Sequence, residues 1–437
     1  MRPADKGTPV PRGTLSYLPS GPGGEESRAR SPNWREVSRA LLVVADDATG
    51  ALATAALLAD CGLAAHVRLG LPPRWPEGLA AVVLSAPARH LPPEAVRATA
   101  AAAARWGVDQ GAGCLAVRID STLRGAPGAA IEGVLEVVPE AAALVVAAVP
   151  RSGRATVGGR LLVGGRPLEA ADTGSSLPTS HVPTLLRHQV GSPLSWVPLE
   201  EVRGDPAALR RALRDRVEAG IRVLVADSAS DEDIVRVAAA ARGAGGTWVP
   251  ADPGPLTAAY VAGWGSRPGR ARSGGGTAAS PGAVLGVVGS VTALTRRQIE
   301  VLAGHGAIVA DVSEDPNRVA ALLRPGATVI LRDEGGAGEA SVSRLALAAR
   351  RVLERAPGPV CGLYVSGGDS LHALCTALGA EGLAALGEVA PLMGAGRLVG
   401  GTWAGLPVVA KGGLVGPEEA ALWAVSALRG GWVCSSA

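Results

Sequence analysis

The sequence has no phenylalanine and only two lysines, Lys6 and Lys411. Arginine therefore carries nearly all the positive charge. With alanine and glycine abundant, this is a bias of the whole chain without a functional message of its own. An excess of either sign of charge is missing too. The 42 basic and 39 acidic residues leave a formal net charge of +3, which gives neither the basic footprint of a nucleic-acid binder nor an acidic tail. The five cysteines, Cys61, Cys114, Cys361, Cys375 and Cys434, contain no C-x-x-C pair. They read as reduced thiols of a cytoplasmic protein. A zinc site is disfavoured on the same ground, and the six histidines include no H-E-x-x-H. No apolar run reaches the roughly 18 residues of a membrane helix, and the N-terminus has no apolar signal core. No G-x-x-x-x-G-K-[ST] occurs, which excludes a P-loop.

What is there suits a globular α/β chain. Its 437 residues, 47% of them hydrophobic, can bury a sizeable core in two or three domains. Residues 1–37 are Pro/Gly/Arg/Ser-rich without apolar period and read as a disordered extension. Strands are predicted at 41–44, 82–84, 114–119, 144–149 and 221–226, with helices at 49–61, 93–106, 205–219 and 231–241. Short apolar strands alternating with helices point to buried, mainly parallel sheets. Residues 267–282 read as a flexible linker. The pattern then restarts, with strands at 284–288, 308–311, 328–331 and 363–365 and helices at 295–302 and 341–353. The expected architecture is two α/β domains, 38–266 and 283–437, with an active-site cleft between them.

Three glycine-bearing loops follow strands of the second domain: Gly289-Ser290, Ser366-Gly367-Gly368-Asp369-Ser370 and Lys411-Gly412-Gly413. Such loops at strand ends bind phosphate through backbone amides. Asp369 could hold Mg²⁺ or orient a hydroxyl, Ser370 could instead cap a helix, and Lys411 offers a compact ammonium. Gly289-Ser290 alone would also serve as an ordinary turn.

The first domain has a different inventory. Asp46-Asp47-Ala48-Thr49-Gly50 pairs two carboxylates at a strand end, one suited to cap a helix and the other to meet a hydroxyl or take a proton. Asp120-Ser121-Thr122-Leu123-Arg124 puts an acid, two hydroxyls and an arginine together, as a small polar substrate with a carboxylate requires. The plainer reading is an Asp120–Arg124 surface pair. Arg154 and Arg160 among glycines again suit an anion. His181, alone on a loop, is more often structural than catalytic.

In order along the chain, these segments resemble the four-carbon acid sugar kinase family, once a domain of unknown function. Its A-D-D-L-T-G-A appears as Ala45-Asp46-Asp47-Ala48-Thr49-Gly50-Ala51, its K-x-D-S-T-L-R-G-N as Arg118 to Ala126, and its G-R-T-T-V-G-G-R as Gly153 to Arg160. S-H-V-P is Ser180 to Pro183. In the second half, G-S-x-x-x-x-T-x-x-Q matches Gly289, Ser290, Thr295 and Gln298. G-G-D-T matches Gly367 to Ser370, and K-x-G-x-x-G runs from Lys411 to Gly416. The resemblance implies a sugar-acid-binding first domain, an ATP-binding second domain, and phosphorylation of a tetronate's terminal hydroxyl. Arg89 is what remains of the family's D-T-E-S-R run, here Ser85-Ala86-Pro87-Ala88-Arg89. Ala126 stands for a usual Asn and Arg118 for a usual Lys.

The expectation is thus a cytoplasmic ATP-dependent kinase using Mg²⁺. Asp47 is the first choice of base and Asp120 the second. Asp46, Arg89, Ser121, Arg124, Arg154, Arg160 and His181 would bind the sugar acid. Ser290, Gly367, Gly368, Asp369, Ser370, Lys411, Gly412 and Gly413 would bind nucleotide, with Asp369 toward the metal. No nucleic-acid or membrane partner is expected, and a homo-oligomer stays open. A lyase or isomerase on the same cleft, and a silent binding protein, remain rivals.

Overall fold

The computed structural model describes residues 40–171, 177–264, 282–336 and 338–430. The expected extension at 1–37 and all of the expected linker except Gly282 lie outside them.

In the first half the strands are β1 (Leu41–Ala45), β2 (Ala65–Arg68), β3 (Ala81–Ser85), β4 (Cys114–Arg118) and β5 (Ala141–Val145). They are followed by β6 (Arg154–Val157), β7 (Arg160–Val163), β8 (Arg166–Pro167), β9 (Leu194–Val197), β10 (Val223–Ala226) and β11 (Thr247–Asp252). The second half adds β12 (Ala283–Val288), β13 (Ile308–Asp311), β14 (Thr328–Arg332), β15 (Val360–Ser366), β16 (Gly382–Ala390), β17 (Met393–Val399) and β18 (Pro407–Lys411).

Two separate sheets were the natural expectation. Instead, 15 strands form one continuous sheet in the order β13-β14-β12-β15-β18-β17-β16-β2-β3-β1-β4-β11-β5-β10-β9, and β6-β7-β8 make a small antiparallel sheet beside it. Each half is parallel at its centre. The halves join where β2 pairs antiparallel with β16, and β16-β17-β18 is itself antiparallel. Helix Ala48–Asp60 reinforces the join: it follows β1 yet packs on β16 and β17. Nearly all its residues are buried, as expected of a helix apolar all round and covered on every side.

The parallel strands are continuous apolar runs, such as Leu41–Ala45, because helices cover both of their faces. One expected strand, 144–149, is misplaced; the ladder runs over Ala141–Val145. Residues 146–149 are equally apolar and buried, but they lead out of the sheet into the turn at Pro150. Strands β16 and β17 escaped prediction. Gly382–Ala390 and Met393–Val399 are rich in glycine and alanine and carry few β-branched or aromatic side chains, so no strand signal shows. The Gly394/Gly396 pair, which narrowly misses a dinucleotide fingerprint, lies within β17 and not in a loop.

Candidate functional site

Ligands of open α/β sheets bind beyond the carboxyl ends of the strands. In the first half, neighbouring strands β3, β1 and β4 deliver Arg89, then Asp46 and Asp47, then Arg118 and Asp120 to that edge. These residues form one network. Asp47 is the N-cap of helix Ala48–Asp60: its Oδ1 accepts from the Gly50 amide at 2.5 Å and from the Thr49 hydroxyl at 2.9 Å. Its other oxygen accepts from Arg89 and, at 3.2 Å, from Arg118. Arg89 also grips Asp46 with two bonds of 2.9 Å and lies 3.2 Å from Asp120. Asp120 accepts from the Thr122 amide and hydroxyl and pairs two-fold with Arg124 at 3.0 and 2.9 Å. The Asp120–Arg124 pair is therefore no surface bridge, since Asp120 is buried.

Arg118, which the sequence offered only as a stand-in for lysine, sits under both aspartates of the D-D pair. It also explains the glycine of that motif, because a Cβ at Gly50 would overlap its guanidinium. Burial works against the charge of every carboxylate here, but Arg89 and Arg118 beside Asp47 hold it below the usual carboxylate range. Arg89 and Arg124 do the same for Asp120. Burial pushes Asp46 up. Thus Asp47 and Asp120 are firmly ionised and weakly basic in this state.

Ser121 is buried in the turn between Asp120 and Thr122. Arg160 and His181 stand apart. Arg160 is half-exposed, 3.8 Å from Glu169, and the His181 ring bonds Thr184 at 2.7 Å and packs on Gly159. The same hairpin is held by a residue the sequence reading passed over. Buried Asp227 accepts from the Gly159 amide at 3.0 Å.

In the second half, neighbouring strands β12, β15 and β18 end in the three glycine loops. The amides of Gly289 and Ser290 both donate to Ser366 O at 3.2 Å, and Gly367 N donates to Lys411 O at 3.0 Å. These contacts tie the loops together. The open donors of the middle loop are then the first-turn amides of helix Gly368–Ala377, whose N-cap is Gly367 and not Ser370. Ser370 is buried with its hydroxyl against Gly289. Thr292 and Thr295 both donate to Gly413 O, at 2.8 and 3.1 Å, and Gln298 donates to Val415 O and Pro417 O. The Thr and Gln of the G-S-x-x-x-x-T-x-x-Q motif thereby fix the loop that begins at Lys411. Lys411 itself is fully buried, with Nζ 3.0 Å from Gly412 O, and burial pushes its pKa down to about 7.

A cavity of about 670 Å³ opens beside Ser290, lined by Arg296, Arg332 and the run Asp333-Glu334-Gly335-Gly336. That run follows β14 as a fourth glycine loop at a strand end. Its position was the available signal, and the sequence reading did not use it. Asp369 is more than half exposed, 3.4 Å from His90. Among the described residues no three acidic, histidine or cysteine side chains gather into a metal cage. Mg²⁺ usually needs only one or two carboxylates beside substrate phosphates, so an open Asp369 at a helix N-terminus fits it.

The two clusters meet. Gly368 abuts the Asp47 side chain so closely that a Cβ there would stand 2.9 Å from Asp47 Cβ. Arg154, from the first half, donates to Leu414 O of the second at 2.8 Å.

Sequence models place a sugar-binding N-terminal domain at residues 41–260 and a nucleotide-binding C-terminal domain at 305–421. The chain belongs to the four-carbon acid sugar kinase family. It is a sugar-acid kinase. It is 35% identical to the D-erythronate kinase of Heliobacterium modesticaldum, with 89% of this chain and 97% of that one covered. It is 33% identical to the D-threonate kinase of Bordetella bronchiseptica, again over 89% and 97%. The fold is shared with a solved structure from Salmonella typhimurium, with a TM-score of 0.71 at 22% identity over 88% of this chain and 98% of that one. Among the described residues no helix is long and apolar enough to cross a membrane.

Proposed function

We propose that this sugar-acid kinase uses ATP to phosphorylate the terminal 4-hydroxyl of a tetronate, with D-erythronate the first candidate. The observation that carries this reading is the meeting of a pre-paired Asp/Arg cluster with glycine loops at the ends of β12, β15 and β18. The 35% identity to a D-erythronate kinase supports the order of candidates. Ala86, Ala88 and Ala126, where the chain departs from the family's polar residues, line one small cavity of about 20 Å³ against Asp46, Arg89 and Asp120. That is room for about one water, so the identity of the sugar acid is the part most open to change.

On this reading Arg124, the most exposed arginine of the cluster, meets the substrate carboxylate, and Asp46, Asp47 and Asp120 orient its hydroxyls. The hydroxyl oxygen bonds to the γ-phosphorus, the bond to the β-phosphate oxygen breaks, and its electron pair leaves with ADP. The hydroxyl proton passes to a cluster carboxylate and then to water, Asp47 being nearest the seam. A weakly basic carboxylate suffices, because the transition state is loose and catalysis is mainly positioning. The cavity beside Ser290 seats the nucleoside, and the helix Gly368–Ala377 N-terminus with Lys411 and Gly412-Gly413 holds phosphates. Asp369 would hold Mg²⁺, which neutralises phosphate charge. ADP release, measured by a coupled assay over a panel of four-carbon acids, tests the reading. Turnover of D-erythronate or a sister tetronate is expected, and no ADP with any of them would overturn it.

A further inference from the structure

Arg154 sits differently from every other arginine of the cleft. Its side chain is 4% exposed, yet among the described residues no carboxylate lies within ion-pair distance of it. Two bonds go to Ser152, at 2.8 Å to the carbonyl and 3.0 Å to the hydroxyl, and one goes to Leu414 O. Its Nε is buried with no partner. A guanidinium taken out of water without a counter-ion is costly, so the site is built for an anion that arrives later. Arg124 and Asp120 are close enough for their charges to act on it, while Leu414 belongs to the loop of Lys411. Arg154 therefore stands between the sugar-acid cluster and the phosphate loop. Its Leu414 bond makes its position follow that loop.

We propose that Arg154 contacts the γ-phosphoryl group during transfer and stabilises the transition state, and that it does not bind the carboxylate of the sugar acid. The inference rests on the ATP-dependent function proposed above. As the oxygen–phosphorus bond to the sugar acid forms and the bond to ADP breaks, the charge on the three equatorial oxygens needs a fixed cation. An arginine in that role contributes about 10³–10⁵ in turnover. The guanidinium reaches the reacting group from the sugar half, so the cation is complete only when the Leu414 loop and the cluster are together.

The test compares wild type with Arg154→Lys and Arg154→Met. Calorimetry gives the Kd of the best tetronate without nucleotide, and of ADP with and without aluminium fluoride, a mimic of the transferring group. The expected result is a fall in kcat of about 10³-fold or more in Arg154→Met. The extra affinity for ADP with fluoride should collapse, while the tetronate and ADP Kd values stay within a few-fold. The Lys variant, which keeps the charge and the packing, should retain part of both. A tetronate Kd raised tenfold or more with kcat kept would make Arg154 a carboxylate binder and overturn the proposal. Unchanged preference for the fluoride complex in both variants would overturn it too. A wild type that turns over none of the panel would fail at the earlier step and remove the function as well; an active wild type with an indifferent variant removes only the role of Arg154.

Discussion

On the sugar side of the cleft, Asp46, Asp47 and Asp120 face Arg89, Arg118 and Arg124, and every carboxylate is engaged before a ligand arrives. On the nucleotide side, loops are tied by amides and hydroxyls: Ser366 O takes two amides, Gly413 O two threonines, and Gln298 spans two carbonyls. Lys411 is the buried lysine there. On the function proposed above, the contrast follows from the ligands. A sugar acid presents hydroxyls whose pattern must be read, and fixed side chains read it. Phosphates are alike in every nucleotide and can be held by backbone, which asks for glycine more than for charge. Substitutions should therefore hurt the two sides in different observables.

The largest effect is expected at Asp47. Asn can still cap the helix, so Asp47→Asn should keep the fold while turnover falls on the order of 10²–10⁴-fold, the worth of a positioned acid–base group. Stopped assays with tetronate and ATP check it. Turnover within a few-fold of wild type would move the proton-accepting role elsewhere in the cluster, with Asp120 next.

Next comes stability. Arg89 is the hub of three carboxylates, Asp47 and Asp120 buried and Asp46 half-buried, and Arg89→Met should cost roughly 3–5 kcal/mol because it removes the cation that the three acids share. Denaturant unfolding measures it. A loss below about 1 kcal/mol, the worth of an exposed pair, would mean that Arg118 and Arg124 neutralise the cluster unaided. Breaking this side should also lower the melting temperature of the nucleotide half. The sheet is continuous through β2 and β16, and helix Ala48–Asp60 covers β16 and β17. The two halves are proposed to share ligands but not to fold apart.

Much of this was legible in the sequence. The D-D-x-T-G and D-S-T-L-R segments and all three glycine loops were placed at strand ends, where they are found. The signal was strong because each joins an apolar run to a polar turn with a helix behind it. Three things stayed hidden for physical reasons. The single sheet depends on β16 and β17, whose Gly/Ala composition carries no strand preference. Arg118 faces the site from within a buried strand, where an arginine is unexpected from periodicity. Arg154 was readable as an anion binder, but its bond to Leu414 spans 260 positions, and no local pattern reveals such a contact.

The third effect tests the nucleotide side. Lys411 fills a fully buried position with one carbonyl partner. A guanidinium is larger and planar, so Lys411→Arg should be nearly as harmful as Lys411→Ala. A loss of about 10- to 150-fold in kcat/KM for ATP is expected, corresponding to one charge-assisted contact of roughly 1.5–3 kcal/mol. The tetronate Kd measured without nucleotide should not move. An Arg variant with wild-type kinetics would remove the ammonium from the phosphate site and leave that side to backbone alone.

The smallest effect lies on the seam itself, at Glu388. Its carboxylate accepts from the Leu392 amide at 3.0 Å and lies 3.4 Å from Arg151 of the first half. Burial, with Asp60 and Asp231 nearby, pushes its pKa up to about 8 against Arg151. The folded state therefore keeps a proton that the unfolded chain loses near the ordinary glutamate value. Stability from this group is full below about 4.5, its ordinary value, and is lost as pH rises through about 8. Gln imitates the protonated form at all pH values. Glu388→Gln should match wild type at acid pH and become progressively the more stable of the two as pH rises from about 4.5 toward 8. Paired denaturation curves across that range decide it. Parallel curves would show that Glu388 is ionised throughout and that Arg151 outweighs its burial, so that the seam, like the sugar side, would be a fixed ion pair rather than a protonated contact.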